Sequence, residues 1–94
     1  MRRSYIMSYS LEAAQPDAMR AILEALPEVL NWRRELPFNY FLISEKDANT
    51  LTDLIRAKTG NRGAFLIVEL GSNKQGYISK EGWRFLNEKH LPGE

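Results

Sequence analysis

The sequence contains no cysteine and only one histidine, His90. Without thiols it can form no disulfide, thiolate metal site or cysteine nucleophile, and such a composition is compatible with a reducing cytoplasm. A lone histidine four residues from the end of the sequence argues against histidine acid–base catalysis and reads as a surface residue. Long apolar runs are missing too. Nothing approaches the ~20 residues that cross a bilayer, and Ile6-Met7-Ser8-Tyr9-Ser10, after the basic Arg2-Arg3, is too short and polar for a signal-peptide core. The expectation is a cytoplasmic protein without a membrane partner. Excess charge of one sign is also lacking: 13 basic and 12 acidic residues give a formal charge of +1, so affinity for nucleic acid would need a local patch. With no repeat, low-complexity segment or linker, the 94 residues read as one domain, 1–94.

What is present is a regular alternation of extended and helical patterns. Tyr5, Met7, Tyr9 and Leu11 recur with period two and predict a first strand. Gln15-Pro16-Asp17 marks a turn and helix start, and Met19, Ile22, Leu23 and Leu26 then share one helical face that Pro27 should end. Leu30–Glu35 and Phe38–Ile43 read as two strands of an antiparallel hairpin, joined through Leu36-Pro37, with Tyr40–Ile43 covered on both faces. Asp47 or Asn49 can cap a second helix with the inward stripe Leu51, Leu54 and Ile55 and a stop at Gly60. The continuously apolar Ala64–Val68 predicts a strand buried on both faces. Gly76-Tyr77-Ile78 offers a further short extended piece, and Ser79 a cap for a closing helix that carries Trp83.

Strand, helix, strand, strand, helix, strand is the order of an α+β, ferredoxin-like βαββαβ fold. It has an antiparallel sheet with two helices on one face, here followed by a short C-terminal strand and helix. Both helices on one face would leave the other face open. Apolar side chains on both sides of Phe65–Leu70 therefore predict a homodimer packed sheet to sheet, with Leu66, Val68, Tyr77, Ile78 and Trp83 as interface candidates.

The strand ending in Tyr9, the Trp32 strand followed by Asn39–Ser44, and Phe65–Leu70 followed by Gly76-Tyr77-Ile78 and Trp83 resemble the small CRISPR-associated Cas-two-like proteins. The similarity is strongest to the stand-alone bacterial SinR-like members, and it spans almost the whole chain. It implies a dimeric ferredoxin-like protein in a superfamily of metal-dependent nucleases, integration-complex scaffolds and antitoxins acting on messenger RNA. The nucleases carry a magnesium-binding aspartate just after the aromatic residue that ends the first strand. Ser10 stands there in this chain. A hydroxyl brings no charge to hold magnesium, so the resemblance favours a non-catalytic nucleic-acid-binding or toxin–antitoxin-type regulatory module, with no catalytic residue and no cofactor.

Two alternatives stand beside this reading. One is a magnesium-dependent endoribonuclease with a displaced site at Glu12 or Asp17; the other is a protein-interaction scaffold. For RNA or DNA the candidate contacts are Arg33 and Arg34, next to the stacking surface of Trp32, and Lys74. Arg2, Arg3 and Arg62 are further cations, and Glu69 is a carboxylate in phase with Phe65 and Ile67.

Overall fold

A computed structural model describes the chain from Met1 to Glu94. Period-two alternation sets its centre. In β1 (Arg3–Tyr9), Tyr5, Met7 and Tyr9 point to one side and are buried, while Ser4, Ile6 and Ser8 point to the other. The strand lies inside a four-stranded antiparallel sheet in which β2 (Asn31–Arg33), β3 (Asn39–Ser44), β1 and β4 (Phe65–Glu69) follow in that order. Tyr5 sits opposite Leu42 of β3 and Glu69 of β4, and Met7 opposite Tyr40 and Ile67. The protein is thus α+β, with three helices against this sheet.

Helices α1 (Pro16–Ala25) and α2 (Ala48–Thr59) cover the tyrosine face. Met19 and Leu23 from α1 and Leu51 and Ile55 from α2 close over Tyr5, Met7, Tyr40 and Leu42 as one cluster. Burying each such side chain contributes about 1.5–3 kcal/mol. Pro16 presets the first turn of α1, and Leu26, which precedes Pro27, is extended, so the helix stops where proline forbids its continuation. The Asp47 carboxylate accepts the Thr50 N–H at 2.8 Å and starts α2; Gly60, at φ 69°, ends it. Two buried tyrosines find carbonyl acceptors at the rim of the sheet. Tyr5 donates to Lys46 at 2.6 Å and Tyr40 to Pro16 at 3.0 Å.

The opposite face is covered in part by α3 (Lys80–Glu88), whose Phe85 and Leu86 pack on Phe41 and Ile43. The Ser79 hydroxyl caps this helix by accepting the Gly82 N–H at 3.0 Å. Asn31 Nδ2 donates to the His90 carbonyl at 3.0 Å just beyond it.

Several expectations need correction. The Ala64–Val68 run is not a strand buried on both faces. β4 is an edge strand with one neighbour, only Ile67 is buried, and Leu66 and Val68 are 65% and 44% exposed. The twice-covered central strand is β3, as its Tyr40–Ile43 run led one to expect, with Tyr40 to Ser44 all buried. Gly76-Tyr77-Ile78 forms no strand, because no sheet edge reaches it, and Tyr77 is fully solvent-exposed. β1 ends at Tyr9 and gives way to a turn over residues 11–13, so Leu11 and Glu12 do not continue its faces. β2 keeps only Asn31–Arg33, since the chain must turn through Pro37 and through Phe38 at φ 59°. The second sheet face is left open only in part, because α3 packs on Phe41 and Ile43 while Leu66 and Val68 of β4, in register with Ser8 and Ile6, remain exposed on the same face. His90 is half-buried, its ring edge-on to Phe85 at 6.1 Å.

Candidate functional site

The segment between β4 and α3 runs over the second face without regular structure and leaves an apolar groove beside α3. Ile6, Phe41, Leu70, Tyr77, Ile78 and Trp83 line a space of about 250 Å³. Ile78 and Trp83 are half-buried there, while Tyr77, Leu66 and Val68 face solvent. The five residues named as interface candidates therefore lie on two adjoining surfaces: the groove beside α3, and the outward strip of β4.

The three predicted nucleic-acid contacts do not converge. The Arg33 Nε donates to Glu35 Oε1 at 3.0 Å, and its Nη2 reaches Ser79 Oγ at 3.4 Å. That guanidinium is thus committed to fastening β2 to the start of α3. Ser79 also donates its hydroxyl to Glu35, and this bond, with the Arg33 pair, holds the Glu35 carboxyl below its ordinary range. Arg34 is exposed just past β2. Lys74 donates its ammonium to the Gly71 carbonyl at 2.8 Å, closing its own turn.

The end of β1 does not fit a magnesium ion. Ser10 Oγ accepts the Ala64 N–H at 3.0 Å, while the Ser10 N–H donates to the Ala64 carbonyl at 2.9 Å, so both groups complete the β1–β4 ladder. Glu12 is exposed in the following turn. Asp17 lies at the start of α1, 3.9 Å from Arg20. No three histidine, aspartate or glutamate side chains meet at one point. Glu69, in phase with Phe65 and Ile67, has reached solvent at the end of β4.

A polar depression of about 390 Å³ opens at the same end of the sheet, where α2 stops and β4 begins. Thr52, Arg56 and Thr59 contribute one helical face, and Asn61, Arg62 and Phe65 the wall opposite. Thr59 is buried and donates to the Arg56 carbonyl at 3.1 Å. The Arg62 Nε donates to the Thr59 carbonyl at 3.1 Å, which leaves its two Nη groups free. Neither Arg56, Arg62 nor neighbouring Lys58 belongs to an ion pair, in contrast to Arg2, Arg20, Arg33 and Arg84. The sequence reading named Arg62 only as a loop cation and passed over Arg56 and Lys58. Their signal was the spacing Arg56-Ala-Lys58-Thr-Gly60-Asn-Arg62, three cations in seven residues across a glycine stop. That stop folds the chain back and brings Arg62 to Arg56. No protein-family model, curated protein or solved structure was found to match the chain.

Proposed function

We propose that this chain is a homodimeric, ferredoxin-like module of the Cas-two-like type that binds nucleic acid in a regulatory role, of the toxin–antitoxin kind, rather than cleaving it. The fold part of this reading is supported by β1 and β3 at the centre of an antiparallel sheet with α1 and α2 together on one face. The non-cleaving part is supported by Ser10, whose hydroxyl is engaged by the Ala64 N–H where a metal-binding carboxylate would be needed.

The dimer rests on a single observation. β4 offers an unpaired backbone edge together with exposed Leu66 and Val68, and the strand contains neither lysine nor proline to discourage pairing. A second copy of β4, antiparallel across a twofold axis, would satisfy that edge and bury Leu66 and Val68 against themselves. α3 already covers Phe41 and Ile43 on the face where two sheets would pack, which favours an edge-to-edge contact over a sheet-to-sheet one.

Light scattering at micromolar concentration tests the association. The expected mass is that of two chains, with Leu66→Lys/Val68→Lys reduced to one; a wild-type mass of one chain would overturn the dimer. Labelled RNA incubated with magnesium or with chelator tests the regulatory reading. Intact RNA under both conditions is expected, and magnesium-dependent cleavage would restore the nuclease.

A further inference from the structure

We infer that the depression between Arg56 and Arg62 is a binding site for single-stranded nucleic acid, with the two guanidiniums on successive phosphates and Phe65 against a base. This rests on the nucleic-acid reading above and moves its contact surface away from Arg33, Arg34 and Lys74.

Helix electrostatics account for only part of the arrangement. Cations in the last turn of α2 offset the partial negative charge at its C-terminus, which explains the sign of Arg56 and Lys58. It does not explain why Arg62, beyond the Gly60 stop, returns to the same depression with both Nη groups unspent. Nor does it explain the missing carboxylates. Four other arginines of the chain sit within 4 Å of an acidic partner, and Arg3 and Arg34 are unpaired singly, whereas Arg56 and Arg62 share one depression that no acidic residue lines. Uncommitted guanidiniums with free paired N–H groups match phosphate oxygens.

The lining then selects among phosphate ligands. Phe65 is half-buried at the rim and also borders the adjoining surface of Ser8, Ser10 and Leu66. An aromatic ring beside two arginines is the combination that holds unpaired bases, whereas a duplex keeps its bases stacked and presents only phosphates. Thr52 and Asn61 add neutral hydrogen-bonding groups at the same wall.

The test measures binding of fluorescein-labelled single-stranded RNA and DNA of one mixed sequence, and of the matching duplex, by anisotropy across a salt series. Heparin serves as a polyanion without bases. Wild-type protein should prefer both single strands to the duplex and to heparin, and the RNA and DNA arms identify which strand it favours. Arg56→Gln/Arg62→Gln should weaken single-strand binding about tenfold at low salt and lower the log–log salt slope by about 1.4, at about 0.7 per phosphate contact. Phe65→Leu should weaken binding with no change of slope, and Arg56→Lys/Arg62→Lys should restore the slope. Arg34→Ala is the control for the rival surface and should leave affinity within about twofold. Melting curves of each variant separate lost binding from lost fold. A glutamine double variant that folds and binds like wild type overturns the site while leaving the nucleic-acid reading intact. Wild-type protein that binds neither strand overturns both, and equal binding of heparin and single strands overturns the base contact.

Discussion

Arg2 and Glu94 meet head-on: Nη1 and Nη2 of the guanidinium donate to Oε1 and Oε2 of the carboxylate at 2.8 Å each. The same Nη1 reaches the Lys89 carbonyl at 3.2 Å, and Glu94 Oε1 also accepts the Leu91 N–H at 2.8 Å. The residues after α3 are thereby tied to the start of β1. The Arg2 bonds and the Leu91 N–H pull the Glu94 carboxyl down to about 2. A depressed carboxyl favours the folded state above its unfolded value of about 4.5, and that contribution fades as pH falls toward 2. Both side chains are substantially exposed, so the expected effect is local and salt-sensitive. Hydrogen exchange at residues 89–94 should accelerate as pH drops from 5 to 2, after correction for intrinsic rates, and Arg2→Ala should show the faster exchange already at pH 7. Unaltered protection in Arg2→Ala would mean that the pair does not hold this segment.

The tyrosines of β1 make a second, sharper comparison. Tyr5 and Tyr9 are both buried on one strand face, but the Tyr5 hydroxyl donates to Lys46 whereas the Tyr9 hydroxyl finds no partner. Tyr9 is stacked on Tyr40 at 5.9 Å, and burial pushes its phenol above the ordinary range. Removing a paired buried hydroxyl costs about 1–3 kcal/mol because the carbonyl is left without its donor. Removing an unpaired one relieves desolvation. Tyr5→Phe should therefore lower urea stability by about 1–2 kcal/mol, and Tyr9→Phe should leave it unchanged or raise it by up to about 1 kcal/mol. Equal losses in the two variants would refute this difference.

Local chemistry made the elements legible in the sequence. Pro16, Asp47, Gly60 and Ser79 mark helix ends through bonds and dihedrals that reach only three or four residues, and the structure places each at a helix boundary. The period-two alternation of Tyr5, Met7 and Tyr9 likewise marked β1, whose buried face they form. Strand placement was less legible. Phe65–Val68 is more continuously apolar than β1, yet β1 is central and β4 lies at the edge, because sheet order depends on which crossovers fit and not on hydrophobicity alone. The binding surface was hidden for a related reason. Arg33 looked free in sequence and is paired with Glu35, two residues away across the strand's end. Arg56 and Arg62 face one depression because Gly60 and Asn61, both left-handed, turn the chain between them.

The attachment of α3 depends on a small polar junction. Ser79 accepts the Gly82 N–H and donates to Glu35, while Arg33 contacts both Glu35 and Ser79. Ser79→Ala removes the cap, worth about 1 kcal/mol, and the largest cause of the low Glu35 pKa. The variant should lose about 1–2 kcal/mol in stability. Its Glu35 carboxyl should titrate closer to the ordinary range, followed by carbon-detected NMR. The wild-type stabilisation from Glu35 is present above about pH 4.5 and disappears as pH falls through the lowered value. The variant should therefore show a shallower acid-induced loss of stability. An unmoved Glu35 titration would show that Ser79 is not what holds this carboxylate.

Of the six glycines, Gly63, in the lining of the basic depression, has the least room for a side chain and carries the most severe prediction. Gly63 has φ 65°, and a Cβ there would fall 2.3 Å from the Ala13 nitrogen and 2.7 Å from Ser10 Oγ. These neighbours belong to the turn after β1 and to the ladder bond between Ser10 and Ala64, so neither can yield without parting β4 from β1. Left-handed strain alone costs an alanine about 1–2 kcal/mol, and the steric overlap adds to it. Gly63→Ala should lose about 3 kcal/mol or more. Gly71→Ala, with nothing within 4 Å of its Cβ and no positive φ, should stay within about 0.5 kcal/mol of wild type. Denaturant titration of the two variants decides the matter. If Gly63→Ala proved as stable as Gly71→Ala, the turn carrying Arg62 and Phe65 could not be packed against the end of β1 as described.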